Sequence, residues 1–146
     1  MDYKSMRFEI FTFMNLMKRE MDASGEKCGM NMLTMPNAKF IVYLFQNRDK
    51  DIYQKDLEEA FMLRASTVSR SLKILEEQGF VIRSPSVYDS RLKKISLTEK
   101  SLKISDYYEN ALNNVFKRFT ANIPEEELNS FFSTLGKMKM NLTDSR

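Results

Sequence analysis

Between residues 64 and 83 the chain reads RASTVSRSLKILEEQGFVIR, and within these twenty positions its period changes. Up to Glu77 the apolar residues recur at helical spacing; after Gly79 they become a short run of strand composition. A helix that stops at a glycine and turns directly into a strand leaves few architectures open to a chain that is otherwise helical in pattern. At 100° per residue, Ala65, Val68, Leu72 and Leu75 share an arc of roughly 80°, and Ser66, Ser69, Arg70, Lys73 and Glu77 occupy a second arc of roughly 100°. One face is suited to a core. The other is a stripe of small hydroxyls and two cations, which allows close approach to a surface with cations reaching past it. Gly79 suits the left-handed position just after a helix end. A helix of this kind fits the DNA major groove, which is wide enough to admit one.

The flanking patterns complete a small architecture. Residues 6–21 read as a helix in which Ile10, Met14, Met17 and Met21 recur at four, three and four, and Phe8, Phe11, Phe13 and Leu16 widen the apolar arc. A first helix apolar on most sides finds burial most readily against another subunit. DASGEKCGMN is expected to break it. Thr34 is expected to cap a second helix, with Pro36 in its first turn, running through Phe40, Ile41, Leu44 and Phe45. A third covers Gln54 to Phe61, and MLR turns tightly into the polar-faced helix. FVIRS and KKISL read as a hairpin with a longish tip carrying Arg91, Lys93 and Lys94. Thr98 then caps a long helix bearing Ile104, Tyr108, Ala111, Leu112, Val115 and Phe119. A last helix presents Leu128, Phe131, Phe132, Leu135 and Met138, with acids in its first turn and lysines near its end. The fold class expected is mainly α with a small β hairpin. Residues 34–98 form a winged helix-turn-helix lobe, and 6–22 with 99–142 form a helical dimerisation lobe, all within one domain spanning 1–146.

Charge is localised where this architecture would use it. The chain carries 23 Lys+Arg against 20 Asp+Glu, a net +3. Residues 62–95 alone hold seven basic and three acidic side chains. That is an electrostatic footprint for phosphate, set against the alternative of a merely solvated basic face.

Other functions find little support. With no histidine, the commonest general base and metal ligand is missing. The single cysteine, Cys28, cannot form a disulfide within the chain. There is no phosphate-binding glycine loop and no Ser/His or Cys/His pair, so neither an enzyme nor a metal or cofactor site is expected. No apolar run is long enough for a bilayer, and Glu9 and Asn15 interrupt the nearest approach to a signal sequence, so a cytoplasmic location with no membrane partner is expected. Cys28 has Lys27 beside it but lies in a glycine-flanked connection, and an inert thiol is expected rather than a redox switch.

STVSRSLKILEEQGFVIR, DSRLKKISLTEKS and LTMPNAKFIVYLF, in this order and at this spacing, resemble the recognition helix with first wing strand, the wing with its Leu-Thr boundary, and the preceding helix of the MarR family (multiple antibiotic resistance regulators). The resemblance covers roughly residues 33–142. It implies a homodimeric, sequence-specific transcription regulator, a repressor in the commonest case, that binds a pseudo-palindromic double-stranded DNA operator. It further implies release by a small aromatic effector held between the lobes. By the same resemblance, Ser66, Thr67, Ser69 and Arg70 would face major-groove bases and nearby phosphates, with Arg64 and Lys73 beside them. Arg91 would enter the minor groove, Asp89 would hold that arginine, and Lys93 and Lys94 would add charge to the wing. Several positions depart from the family pattern. Tyr53 stands where a Ser or Thr cap is frequent, and Glu58 replaces a common alanine. Met62 and Arg64 occupy a turn where glycine and serine are usual, and Ser101 replaces a glycine. A winged helix used only for protein interaction, without reading DNA, is the alternative.

Overall fold

The computed structural model describes residues 2–29, 35–89 and 91–143. In chain order the elements are α1 (Tyr3–Lys27), a 3-10 turn (Met35–Asn37), α2 (Ala38–Gln46), β1 (Ile52–Tyr53), α3 (Gln54–Phe61), α4 (Ala65–Glu77), β2 (Val81–Pro85), β3 (Lys93–Leu97), α5 (Glu99–Phe119) and α6 (Glu125–Thr143). The chain divides into two compact units, residues 1–112 and 113–146.

The first unit holds the winged helix-turn-helix. Its core gathers Phe40, Ile41 and Leu44 from α2, Leu57 from α3, Val68, Leu72 and Leu75 from α4, and Phe80, Val81, Ile52 and Ile95 from the sheet region. Of the dry face read from the sequence of α4, Val68, Leu72 and Leu75 are buried, whereas Ala65, in the first turn, is exposed. Phe61 closes the α2–α3 junction edge-on against Phe40, with ring centroids 5.1 Å apart. A smaller cluster brings Ala38 together with Tyr108 and Leu112 of α5, and Met21 and Cys28 pack against it.

Three expectations change. First, α1 does not stop before its glycine but runs through Gly25 to Lys27. Gly25 is buried, on the face that also carries Met21 and Cys28, so packing offsets the low helix propensity of glycine. Second, the sheet is not a bare hairpin. It has three strands in the order β1-β3-β2, with Ile52 and Tyr53 paired antiparallel to Ile95 and Lys94. A two-residue strand has no periodicity to be read, and only its partner reveals it. Third, Pro36 stands in the 3-10 turn and not in the first turn of α2, which begins at Ala38. Lys93 and Lys94 lie in β3, opposite Pro85 and Ser84, leaving Arg91 in the loop. The proposed cap Thr34 lies outside the described residues. α3 runs from Gln54 to Phe61 as expected.

At the far end of the sheet, Thr98 caps α5. Its hydroxyl accepts from the Ser101 N–H at 3.2 Å and donates to the Gly79 carbonyl at 2.7 Å. Ser101, fully buried, donates its own hydroxyl to the Phe80 carbonyl. The serine that stands in place of the family's glycine thus ties α5 to the end of α4. Among the described residues no helix is long and apolar enough to cross a membrane.

In the second unit α6 leaves much of its apolar side in solvent. Phe131 is 49% exposed, Phe132 52% and Met138 42%. Within the first unit α1 does the same, with Phe8 69%, Phe11 55% and Met14 59% exposed.

Candidate nucleic-acid interface

The helix-turn-helix is set by a strained residue. After α3, Met62 adopts the left-handed conformation (φ 51°, ψ 43°), and the Leu63 N–H returns to the Glu58 carbonyl at 3.0 Å. This is the glycine-like geometry of a helix C-terminus, occupied here by a side chain. The start of α3 is held by Asp56, whose carboxylate accepts the Tyr53 N–H at 2.7 Å. Gln54 then bridges to the next helix, its amide donating to the Ala65 carbonyl at 3.3 Å.

α4 presents the expected surface. Val68, Leu72 and Leu75 are fully buried, while Arg64, Ser66, Thr67, Ser69, Arg70 and Lys73 are all exposed. Arg64 caps the helix through its backbone carbonyl, which accepts the Thr67 and Val68 N–H groups at 2.9 and 3.1 Å, and its side chain makes no cap bond. Lys73 reaches Glu77 one turn on at 3.8 Å in an exposed pair, a weak restraint that a stronger anion would displace. The helix end is fixed by Arg83 of β2, whose Nε donates to Glu76 at 2.9 Å. That hydrogen bond lowers the Glu76 pKa and raises that of Arg83.

The wing is a loop closed by its own hydrogen bonds. The Ser86 N–H donates to the Leu92 carbonyl and the Leu92 N–H to the Asp89 carbonyl, both at 2.9 Å. The Asp89 carboxylate accepts from the Arg91 N–H at 2.9 Å and from its guanidinium at 3.2 and 3.3 Å. Those bonds, the backbone one foremost, hold the Asp89 carboxyl below its ordinary range. Asp89 therefore orients Arg91, whose side chain remains 89% exposed. Lys93 is exposed. Lys94 is turned elsewhere: its ammonium pairs with Asp51 at 2.5 Å, which raises its pKa and ties β3 to the segment leading into β1.

One residue organising this surface had no sequence signal, and a second stood out only as a departure from the family pattern. Ser86, 8% exposed, meets the Tyr53 hydroxyl at 3.0 Å and accepts the Tyr88 N–H at 3.2 Å. Tyr53, which departs from the family's usual cap, thereby links the start of α3 to the root of the wing. Cys28 ends α1 with its thiol donating to the Ser24 carbonyl at 3.1 Å, and burial raises its pKa. Both features favour the protonated thiol over a reactive thiolate.

Residues 33–93 match the MarR family model. Among curated relatives, the HTH-type transcriptional regulator SarZ of Staphylococcus epidermidis is 32% identical over 96 residues, which are 66% of this chain and 64% of that protein. The match thus spans less than two thirds of that relative's length. Among solved structures, the transcription regulator MarR from Oenococcus oeni superposes with a TM-score of 0.81 at 24% identity, covering 92% of this chain and 98% of the other. MepR of S. aureus, in a complex with DNA, gives 0.80 at 23% identity, covering 97% and 98%. A MarR-family protein from Listeria monocytogenes with a 26mer DNA gives 0.78 at 18% identity, covering 94% and 88%. The structural likenesses establish the winged-helix fold, and the matched segment spans the helix-turn-helix and most of the wing. Residues 33–93 are thus similar to the MarR family, and the chain shares the winged-helix fold of its solved relatives.

Proposed function

We propose that this protein is a homodimeric, sequence-specific DNA-binding transcription regulator, a repressor, that acts on a pseudo-palindromic operator. The observation that carries the reading is the exposed polar face of α4, Ser66, Thr67, Ser69, Arg70 and Lys73, on a helix whose opposite side buries Val68, Leu72 and Leu75. Beside it stands a wing whose one loop arginine is held by Asp89. Small hydroxyls let the helix seat deeply; Arg70 can contact a guanine edge or a phosphate. Arg91, on its short loop, suits the negative potential of a narrow minor groove. The DNA complexes of MepR and the Listeria protein, similar in fold, are consistent with this use of the surface.

Dimer formation is supported by the apolar side chains of α1 and α6 that stand in solvent. A small aromatic effector that releases DNA belongs to the same proposal. The regulator reading involves no catalytic step. Selection of bound fragments from genomic DNA, followed by affinity measurement over a range of salt, tests the proposal. An operator with two-fold symmetry and a steep salt slope supports it. Absence of any salt-dependent duplex binding would instead favour a protein-interaction module.

A further inference from the structure

The tip of the wing carries an apolar pair that neither the core nor the charge pattern accounts for. Val87 is 88% exposed and Tyr88 86%, the highest values among the exposed large hydrophobic residues described. Loop tips are ordinarily polar, and scattered single apolar residues need no explanation. Here two large ones are consecutive in the loop between β2 and β3. The loop does not need their side chains. It is closed by backbone bonds between Ser86, Asp89 and Leu92, and Ser86 is anchored to Tyr53. The loop is thus tied, through Ser86 and Tyr53, to the root that also begins the helix-turn-helix.

What lies next to the pair decides its partner. Asp89 follows directly and is engaged by Arg91, while Lys93 is exposed at the start of β3. An apolar tip flanked by an oriented guanidinium and a lysine fits a polyanion whose charged rails border an apolar wall. The minor groove of duplex DNA has that make-up, with phosphates along the edges and deoxyribose rings between them. A wholly apolar protein partner would leave Arg91 and Lys93 to be desolvated without compensation. We propose that Val87 and Tyr88 seat against the deoxyribose wall of the minor groove and supply the wing with a contact that does not depend on salt, while Arg91 supplies the one that does. This rests on the DNA-binding reading above and deepens it. Apolar side chains are used in this groove elsewhere, where they act on the shape of the duplex rather than on its base edges.

Salt separates the two kinds of contact. Each cation that neutralises a phosphate contributes close to one unit to the slope of log affinity against log salt, and an apolar contact contributes none. The full-length protein, its Tyr88→Ala, Tyr88→Phe, Val87→Ser and Arg91→Ala variants are titrated with one selected operator duplex at several salt concentrations, and thermal unfolding is recorded for each. The expected result is that Tyr88→Ala loses roughly tenfold in affinity at every salt concentration, the scale of one aromatic contact to nucleic acid, with an unchanged slope. Tyr88→Phe should retain affinity because the ring, not the hydroxyl, makes the contact, and Val87→Ser should fall between. Arg91→Ala should lose about one unit of slope. If the wild type binds the operator and Tyr88→Ala binds as tightly at all salts, the apolar contact is refuted and the DNA reading stands. Should Tyr88→Ala lower the slope instead, the tip acts by placing Arg91, and the proposal fails as well. If the wild type shows no selective duplex binding, it is the underlying reading that fails, and the pair belongs to a protein partner.

Discussion

Arg70 and Arg91 carry the same charge in different settings, and that difference predicts different failures. Arg70 stands exposed on α4 beside Ser66, Ser69 and Lys73, with no ion pair among the described residues. Where it reads a guanine, Arg70→Ala relaxes preference at one position of each half-site, by about 1–3 kcal/mol. Arg91 is pre-oriented by Asp89. Arg91→Ala should weaken binding to most sequences, with its largest loss where A·T tracts flank the site. Affinity measured on a panel of single-substitution duplexes distinguishes these patterns; equal and sequence-independent losses for both would reduce Arg70 to a phosphate contact. Met62 gives a stability prediction of its own. A non-glycine residue in the left-handed region costs about 1–2 kcal/mol, of which glycine's greater unfolded freedom would return about 0.5–1 kcal/mol to the unfolded state. Met62 is 64% exposed and forfeits little packing. Met62→Gly should therefore stabilise the protein by about 0.5–1 kcal/mol, read from the urea midpoint, and a destabilised variant would show that Met62 packs in the functional assembly.

At the scale of elements, α4 is joined to β2 by the Glu76–Arg83 pair. The Glu76 pKa is lowered in the fold, chiefly by the hydrogen bond from Arg83, from an ordinary value of 4.5. The pair's stabilisation is therefore complete above pH 4.5 and is lost as pH falls through the lowered folded value. Both side chains are roughly a third exposed, 30% and 39%, so screening keeps the contribution small. Glu76→Gln should remove that part of the acid sensitivity, seen as a shallower fall in unfolding temperature below pH 4.5, with little change at neutral pH. The elements themselves were largely legible from sequence, and for definite reasons. α3 and α4 announce themselves because a single core face demands Leu57, Val68, Leu72 and Leu75 at helical spacing. Gly79 announces the helix end because its φ of +72° is a glycine conformation. What was not legible depends on partners distant in sequence. β1 exists only because β3 lies beside it, and Lys94 leaves the candidate surface only because Asp51 is near. Ser86 and Tyr53 organise the wing through a hydrogen bond across 33 positions, which no local pattern contains. The continuation of α1 through Gly25 is likewise a matter of packing, not propensity.

At the scale of the molecule, the apolar surfaces of α1 and α6 are more than a monomer would ordinarily leave in water. Phe8, Phe11 and Met14 on one helix and Phe131, Phe132 and Met138 on the other are each at least 42% exposed. Sedimentation at micromolar concentration should show a homodimer, and a well-folded monomer under those conditions would contradict it. Two-fold symmetry of the reader then sets the operator: half-sites about one helical turn, roughly 10 bp, apart. Inserting about five base pairs between half-sites would turn them to opposite faces of the duplex and should abolish tight binding, whereas about ten should be tolerated better.

The central place of β3 has a kinetic consequence. The β2–β3 hairpin is local, but Ile52 of β1 meets Ile95 across a loop of about 40 residues that contains α3 and α4. The third strand can be added only when the two helices have found each other, so the sheet is completed late even though its hairpin is quick to form. In the finished fold β3 is bonded on both sides, while β2 keeps one side open along its five residues. Native-state hydrogen exchange should reflect this asymmetry. The amides of Lys94 and Ile95 should open only when the whole lobe unfolds, and those of β2 should exchange through smaller fluctuations that leave the rest intact. The outer strand of the wing could then adjust to a duplex while the inner one keeps its register.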